Sequence, residues 1–197
     1  MSLALVLPMS AFALATSISP GPVNMACLGS GTRYGMQATL GFVTGAAVGF
    51  IMLFVAVGLG LVAVLAQLPI LTELLRWGGI AFLFYLSWQL ARDNGEFAEC
   101  DQDEPPGFMA GALMQWLNPK AWLASASGIG AYTNGSNLSE LALFAALYAP
   151  ICWASLMCWV YAGAFLRRQV ARPAVLRNVN RGLAAVLAGS CAFLLID

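Results

Sequence analysis

The chain contains no histidine. That removes the commonest metal ligand and the usual neutral-pH proton carrier. It also removes any nucleophile–base pair built on imidazole, which argues against an enzyme. No catalytic residue, metal site or cofactor is expected. Charge is scarce as well. Asp, Glu, Lys and Arg make up 9% of the 197 residues and cancel to zero net charge. A soluble domain carries about 25% charged residues, so this chain cannot cover a water-facing surface. A neutral chain also lacks the basic field that nucleic acid requires. Cys27, Cys100, Cys152, Cys158 and Cys191 form no Cys-x-x-Cys pair, and their number is odd. Four of them lie in apolar stretches and read as small apolar filler. No Lys or Arg precedes the first apolar run, which argues for a first membrane helix and against a signal peptide.

What is present is hydrophobic: 60% of the residues, with a mean hydropathy of +0.80. Six apolar segments can be drawn, at about 3–29, 38–66, 71–91, 108–131, 139–166 and 179–196. Each is near the roughly 20 residues that cross a bilayer. The first is interrupted by Ser19-Pro20-Gly21-Pro22-Val23-Asn24 and the fourth by Asn118-Pro119-Lys120. Proline removes a backbone donor and clashes with the preceding turn. In hydrocarbon such a break is tolerated only where protein buries it or it lines a wet cavity.

The breaks recur at matching places. Pro20 to Gly41 is 21 residues, and so is Pro119 to Glu140. Three spans per half would give the halves opposite orientation, the pattern that marks transporter binding sites. The expectation is an all-α membrane protein with six transmembrane helices in two inverted three-helix repeats. Repeat one is about 1–91, an acidic loop about 92–107, and repeat two about 108–197, in one transmembrane domain. Arg33, Arg92, Arg167, Arg168, Arg172, Arg177 and Arg181 fall on one side of such a bundle. The positive-inside rule makes that side cytoplasmic and leaves both termini outside.

Lys120 is the one ionisable residue deep in a span, which makes it a functional candidate. It could bind a carboxylate or carry a proton. The alternative is a later helix start with Lys120 snorkelling to an interface marked by Trp116 and Trp122. Asn24, Asn118 and Ser19 could bind substrate, or cap the backbone of their own break. The half-helix after Pro22 would present free N–H groups to an anion. Gly41, Gly45 and Gly49 form a smooth face for close helix packing, in the core or in a dimer, or else line a substrate path.

These motifs resemble the LysE/RhtB family of amino-acid exporters. The similarity lies in Ser19-Pro20-Gly21-Pro22-Val23-Asn24, Gly31-Thr32-Arg33-Tyr34-Gly35, Gly41-Phe42-Val43-Thr44-Gly45 and Trp116-Leu117-Asn118-Pro119-Lys120-Ala121, and it extends over the whole chain. It implies an inner-membrane exporter of amino acids or close metabolites, driven by the proton gradient. The positions it carries over are Pro20, Pro22, Asn24, Asn118, Pro119 and Lys120. Members resembling lysine and arginine exporters tend to carry an aspartate where this chain has Phe50. A cationic side chain needs such a counter-charge in a dry site. The resemblance therefore points to a neutral substrate, such as cysteine, O-acetylserine, threonine, homoserine or leucine. Ile151-Cys152-Trp153-Ala154 and Asn180-Arg181-Gly182-Leu183 resemble the cysteine/O-acetylserine branch. A passive channel or assembly factor, and a redox protein with paired cysteines at the breaks, are the competing readings. The redox reading suffers because Cys27 lies near the first break in sequence and no cysteine lies near Pro119.

Overall fold

The computed structural model describes residues 5–61, 104–133 and 137–169, with scattered positions between 67 and 92 and between 177 and 185. The third and sixth expected spans and most of the acidic loop lie outside the described residues. Five helices are described, without a strand among these residues: α1 (Val6–Ile18), α2 (Pro22–Gly58), α3 (Phe108–Trp116), α4 (Pro119–Tyr132) and α5 (Leu138–Gln169). Two stretches, Pro22–Gly58 and Leu138–Arg167, are long and apolar enough to cross a membrane.

Both breaks end one helix and start the next with a proline. Pro22 opens α2 and Pro119 opens α4, each at the start of its helix. A proline there costs nothing, because the N–H it lacks would have no intrahelical partner. Its fixed φ already suits a helix. Pro22 thus takes the helix-start position that Pro119 takes, while Pro20 stands before the helix.

The first loop is shorter than expected. Residues 30–34, Arg33 among them, are helical, and α2 departs from helical geometry only at Gly35 (φ 81°, ψ −177°). That positive φ suits glycine, which has no Cβ to clash. The chain turns back there. Before Gly35, α2 runs parallel to α5: Leu28 lies on Gly163, and the Arg33 carbonyl accepts from Arg167 Nη1 at 3.1 Å. After Gly35 it runs antiparallel: Thr44 meets Trp153, Phe50 lies tilted against Tyr148 with ring centroids 4.6 Å apart, and Gly58 faces Leu141. The helix after Gly35 runs from Met36 to Gly58, and residues 62–66 of the expected second span lie outside the described residues.

Two glycine crossings set the helix spacing. Gly45 lies against the Phe108 backbone, while Gly111 of α3 lies against the Phe42 carbonyl. Gly31 and Gly163 repeat the arrangement between α2 and α5, on Val160 and Leu28. A Cβ at any of these four would enter the facing main chain, so small residues let the backbones touch. Gly49 sits on Ala112, with its nearest backbone atoms 2.7 Å from a Cβ built on the glycine. Gly41 is exposed and comes no nearer than 3.8 Å to Phe108 N.

A buried aromatic cluster fills one end of the core. Phe12 and Tyr132 meet edge-on at 5.6 Å, Phe54 and Phe144 at 5.0 Å. The outer faces stay apolar: Leu7 is 77% exposed and Leu123 68%. Such faces suit lipid, against which exposed leucine carries no penalty.

Candidate functional site

The first break orphans the last carbonyls of α1 in apolar surroundings, where each needs a donor. Every carbonyl from Ala15 to Gly21 has one. The Ser19 N–H reaches Ala15 at 3.3 Å, and the Ser19 hydroxyl reaches Thr16 at 3.0 Å. Asn24 Nδ2 donates to Ser17 at 2.8 Å, and the indole of Trp159, on α5, donates to Ile18 at 3.1 Å. Lys120 Nζ donates to Ser19 at 2.5 Å and, at 3.5 Å, lies near Pro20. The Gly21 carbonyl accepts from Met25 N at 2.9 Å. Gly21 also makes room for the lysine. A Cβ there would sit 2.8 Å from Lys120 Cδ and 3.1 Å from Nζ.

The second break is capped from within its own segment. Asn118 adopts an extended backbone and caps α4, its Oδ1 accepting from Lys120 N at 3.2 Å. Its Nδ2 donates to Gln115 Oε1 at 3.3 Å. Trp122 Nε1 donates to the Trp116 carbonyl at 2.7 Å, with the two indoles edge-on. The α2 N-terminus differs. It has no side-chain cap, and the first intrahelical bond falls to Met25. The N–H groups of Val23 and Asn24 therefore have no partner within the helix.

The two broken segments run in opposite directions and cross at their breaks. Going along α1, Phe12 lies against Phe144 and Thr16 against Tyr148, so α1 is parallel to α5. Going back along α4, Lys120 meets Ser19 and Tyr132 meets Phe12. The crossing leaves a cavity with about 30 Å³ open to water centres. Thr16 and Ser17 of α1, Val23, Asn24 and Phe50 of α2, and Gln115 and Asn118 of the second break line it. Lys120, Ala121 and Ala124 of α4 and Tyr148, Cys152 and Leu156 of α5 complete the wall. No Asp or Glu is among these residues.

The expected site residues thus divide by position. Asn24, Asn118 and Lys120 line the cavity. Ser19, Pro20 and Gly21 stand beside it and hold or admit the lysine, while Pro22 and Pro119 start the helices that carry the asparagines and Lys120. In this conformation Asn24 and Asn118 both bond to their own breaks. Trp116 and Trp122 pack on each other across the second break. Gly41, Gly45 and Gly49 lie on the side of α2 that faces α3. The sequence reading missed Thr16, Ser17, Gln115, Tyr148 and Cys152. Cys152, apolar filler by its sequence context and far from Pro119 along the chain, lines the same cavity as Lys120 once the chain is folded. The spacing of Tyr148, Cys152 and Leu156 is the signal that was available, since residues four apart share a helix face.

Residues 14–197 match the family described as LysE type translocator. A cysteine/O-acetylserine efflux protein of Escherichia coli O157:H7 is 27% identical over 180 residues, covering 90% of this chain and 88% of that protein. One from Klebsiella pneumoniae is 28% identical over 162 residues, covering 80% and 81%. No solved structure matches the chain. The family match spans nearly all of the chain, including both breaks and the helices that carry them: the chain belongs to the LysE type translocator family.

Proposed function

We propose that this chain exports small neutral amino acids and that the two helix breaks form its substrate site. The observation that carries this reading is Lys120 lying on the Ser19 carbonyl beside a cavity that Asn24, Gln115 and Asn118 also line, with no carboxylate among its described residues. An ammonium and an uncapped helix N-terminus converge there, and both favour an anion. The substrate carboxylate binds to Lys120 and to the N–H groups of Val23 and Asn24. Asn24 and Asn118 hold the breaks in register around it. The side chain is neutral, because a cationic one would need a counter-charge, and no Asp or Glu is among the described residues that line the cavity. The names of the relatives, cysteine/O-acetylserine efflux proteins, favour a small polar substrate.

Export is driven by protons, and Lys120 is the group that carries them, being the one basic side chain among the described residues that line the cavity. The complete bundle has six spans in two inverted halves. Two broken segments of opposite direction support this. The contact of Arg33 with Arg167 supports placing their two loops on one side, the cytoplasmic one under the positive-inside rule. Both termini then face outward from a bacterial inner membrane. The small cavity represents a closed state, and the breaks separate to admit substrate.

A tolerance screen tests the reading. Cells overexpressing the protein should withstand inhibitory levels of cysteine, serine or threonine analogues, and gain nothing against lysine or arginine analogues. Resistance to the cationic analogues would contradict a neutral substrate. Export that an uncoupler leaves untouched would replace the proton-driven exporter by a passive pore.

A further inference from the structure

The cap of the second break sets the hydrogen-bond polarity of one cavity residue. The Lys120 main-chain N–H can only donate, so the Asn118 side-chain atom that faces it at 3.2 Å is the oxygen, Oδ1. Asn118 Nδ2 is left to face Gln115 at 3.3 Å, and a donor there requires the glutamine oxygen, Oε1. The main-chain carbonyl of Gln115 also accepts from the Asn118 N–H, at 3.2 Å, so two bonds hold the glutamine against the cap. Its remaining polar atom, Nε2, is then a donor with two protons. Among the described residues Nε2 has no hydrogen-bond partner, although Gln115 is only 5% exposed. It is not sealed in the core either. Ser155 Oγ is the one fully enclosed side-chain polar atom left unpaired among the described residues. Gln115 lines the cavity together with Lys120, and its open N–H groups find their space there.

We propose that Gln115 is a specificity-determining residue: its Nε2 donates a hydrogen bond to the substrate side chain and so favours neutral amino acids that carry an acceptor oxygen there. This inference rests on the breaks being the substrate site. It divides the neutral amino acids into two groups. Serine, threonine, homoserine and O-acylated serines offer the oxygen, and the O-acylated ones accept without donating. The sulfur of cysteine is a weaker acceptor. Alanine, valine and leucine offer none, and they leave a buried donor unpaired on binding. A site built to bond a polar group of its substrate rejects the analogue that lacks it for this reason.

The test is exchange of labelled O-methylserine and norvaline in proteoliposomes, measured side by side. Their side chains have the same length and shape. Only O-methylserine carries an oxygen, which accepts and cannot donate. Wild-type protein should favour O-methylserine about fivefold to tenfold, the worth of one hydrogen bond. Gln115→Met keeps the length of the side chain without its donors, and should bring the ratio close to one. Equal exchange of the two by wild-type protein would overturn the proposal without recourse to any variant. A wild-type preference that survives in Gln115→Met would overturn it too, as would an equal loss of both amino acids, since the glutamine would then serve the cap or the carboxylate. Wild-type protein that exchanges neither of these nor serine would instead defeat the exporter reading on which the proposal stands, a result separate from any ratio.

Discussion

At the scale of the residue, the first break depends on four side chains that replace missing backbone donors. Lys120, Asn24, Trp159 and Ser19 each hold a carbonyl that α1 leaves open. Removing one strands a polar group away from water, at a cost of about 1–3 kcal/mol. Trp159→Phe should lower stability by about that much while keeping most of the packing. Thermal unfolding in detergent would measure it. A loss near zero would mean that water already reaches the Ile18 carbonyl. Gly35→Ala isolates backbone strain, because the nearest atom to an added Cβ is Arg167 Nη1 at 4.0 Å. The left-handed conformation should cost about 1–2 kcal/mol. The same measurement applies, and an unchanged midpoint would mean that the turn can adopt another geometry.

At the scale of the element, the helix breaks were legible in the sequence and the close crossings were only partly so. Two prolines around Gly21 and one after Asn118 sit in apolar runs, and no helix continues through them. Pro150 shows the limit of that signal. It lies within α5 on an exposed face, and the helix runs on. Spacing matched Pro20 to Pro119; the helix-start position that Pro119 takes is held in the first break by Pro22. The Gly41, Gly45, Gly49 pattern located a close face of α2, but a four-residue period cannot say which glycines touch a partner. Gly31 and Gly163 were missed because a glycine pair 132 positions apart becomes a pair only on folding. The cavity wall on α5 was missed for a similar reason, since tyrosine and cysteine in an apolar helix look like packing. A direct comparison follows. Gly45→Ala drives a methyl into the Phe108 backbone and should destabilise by roughly 1–3 kcal/mol, the usual cost of overpacking. Gly41→Ala meets an ordinary contact at 3.8 Å and should stay within about 0.5 kcal/mol of wild type. Equal effects at the two positions would contradict the described packing.

At the scale of the whole molecule, two broken segments of opposite direction cross at their breaks beside a cavity with a few polar side chains in an apolar bundle. Arg33 and Arg167 lie at one end of it. Arg33→Cys and Arg167→Cys, made singly, should therefore label with a membrane-impermeant thiol reagent from the same side, the cytoplasmic one. Labelling from opposite sides would break the topology. Lys120 bridges the two breaks through the Ser19 carbonyl, beside the cavity. The central claim is that this bridge is also the substrate's carboxylate site. The measurement that bears on it most directly is serine and cysteine counterflow in proteoliposomes, comparing wild type with Lys120→Gln of unchanged helical content. The account predicts exchange by the wild type and a loss of at least about tenfold in the variant, since a hydrogen bond to a charged group is worth about 1.5–3 kcal/mol. Counterflow by Lys120→Gln at the wild-type rate would contradict it.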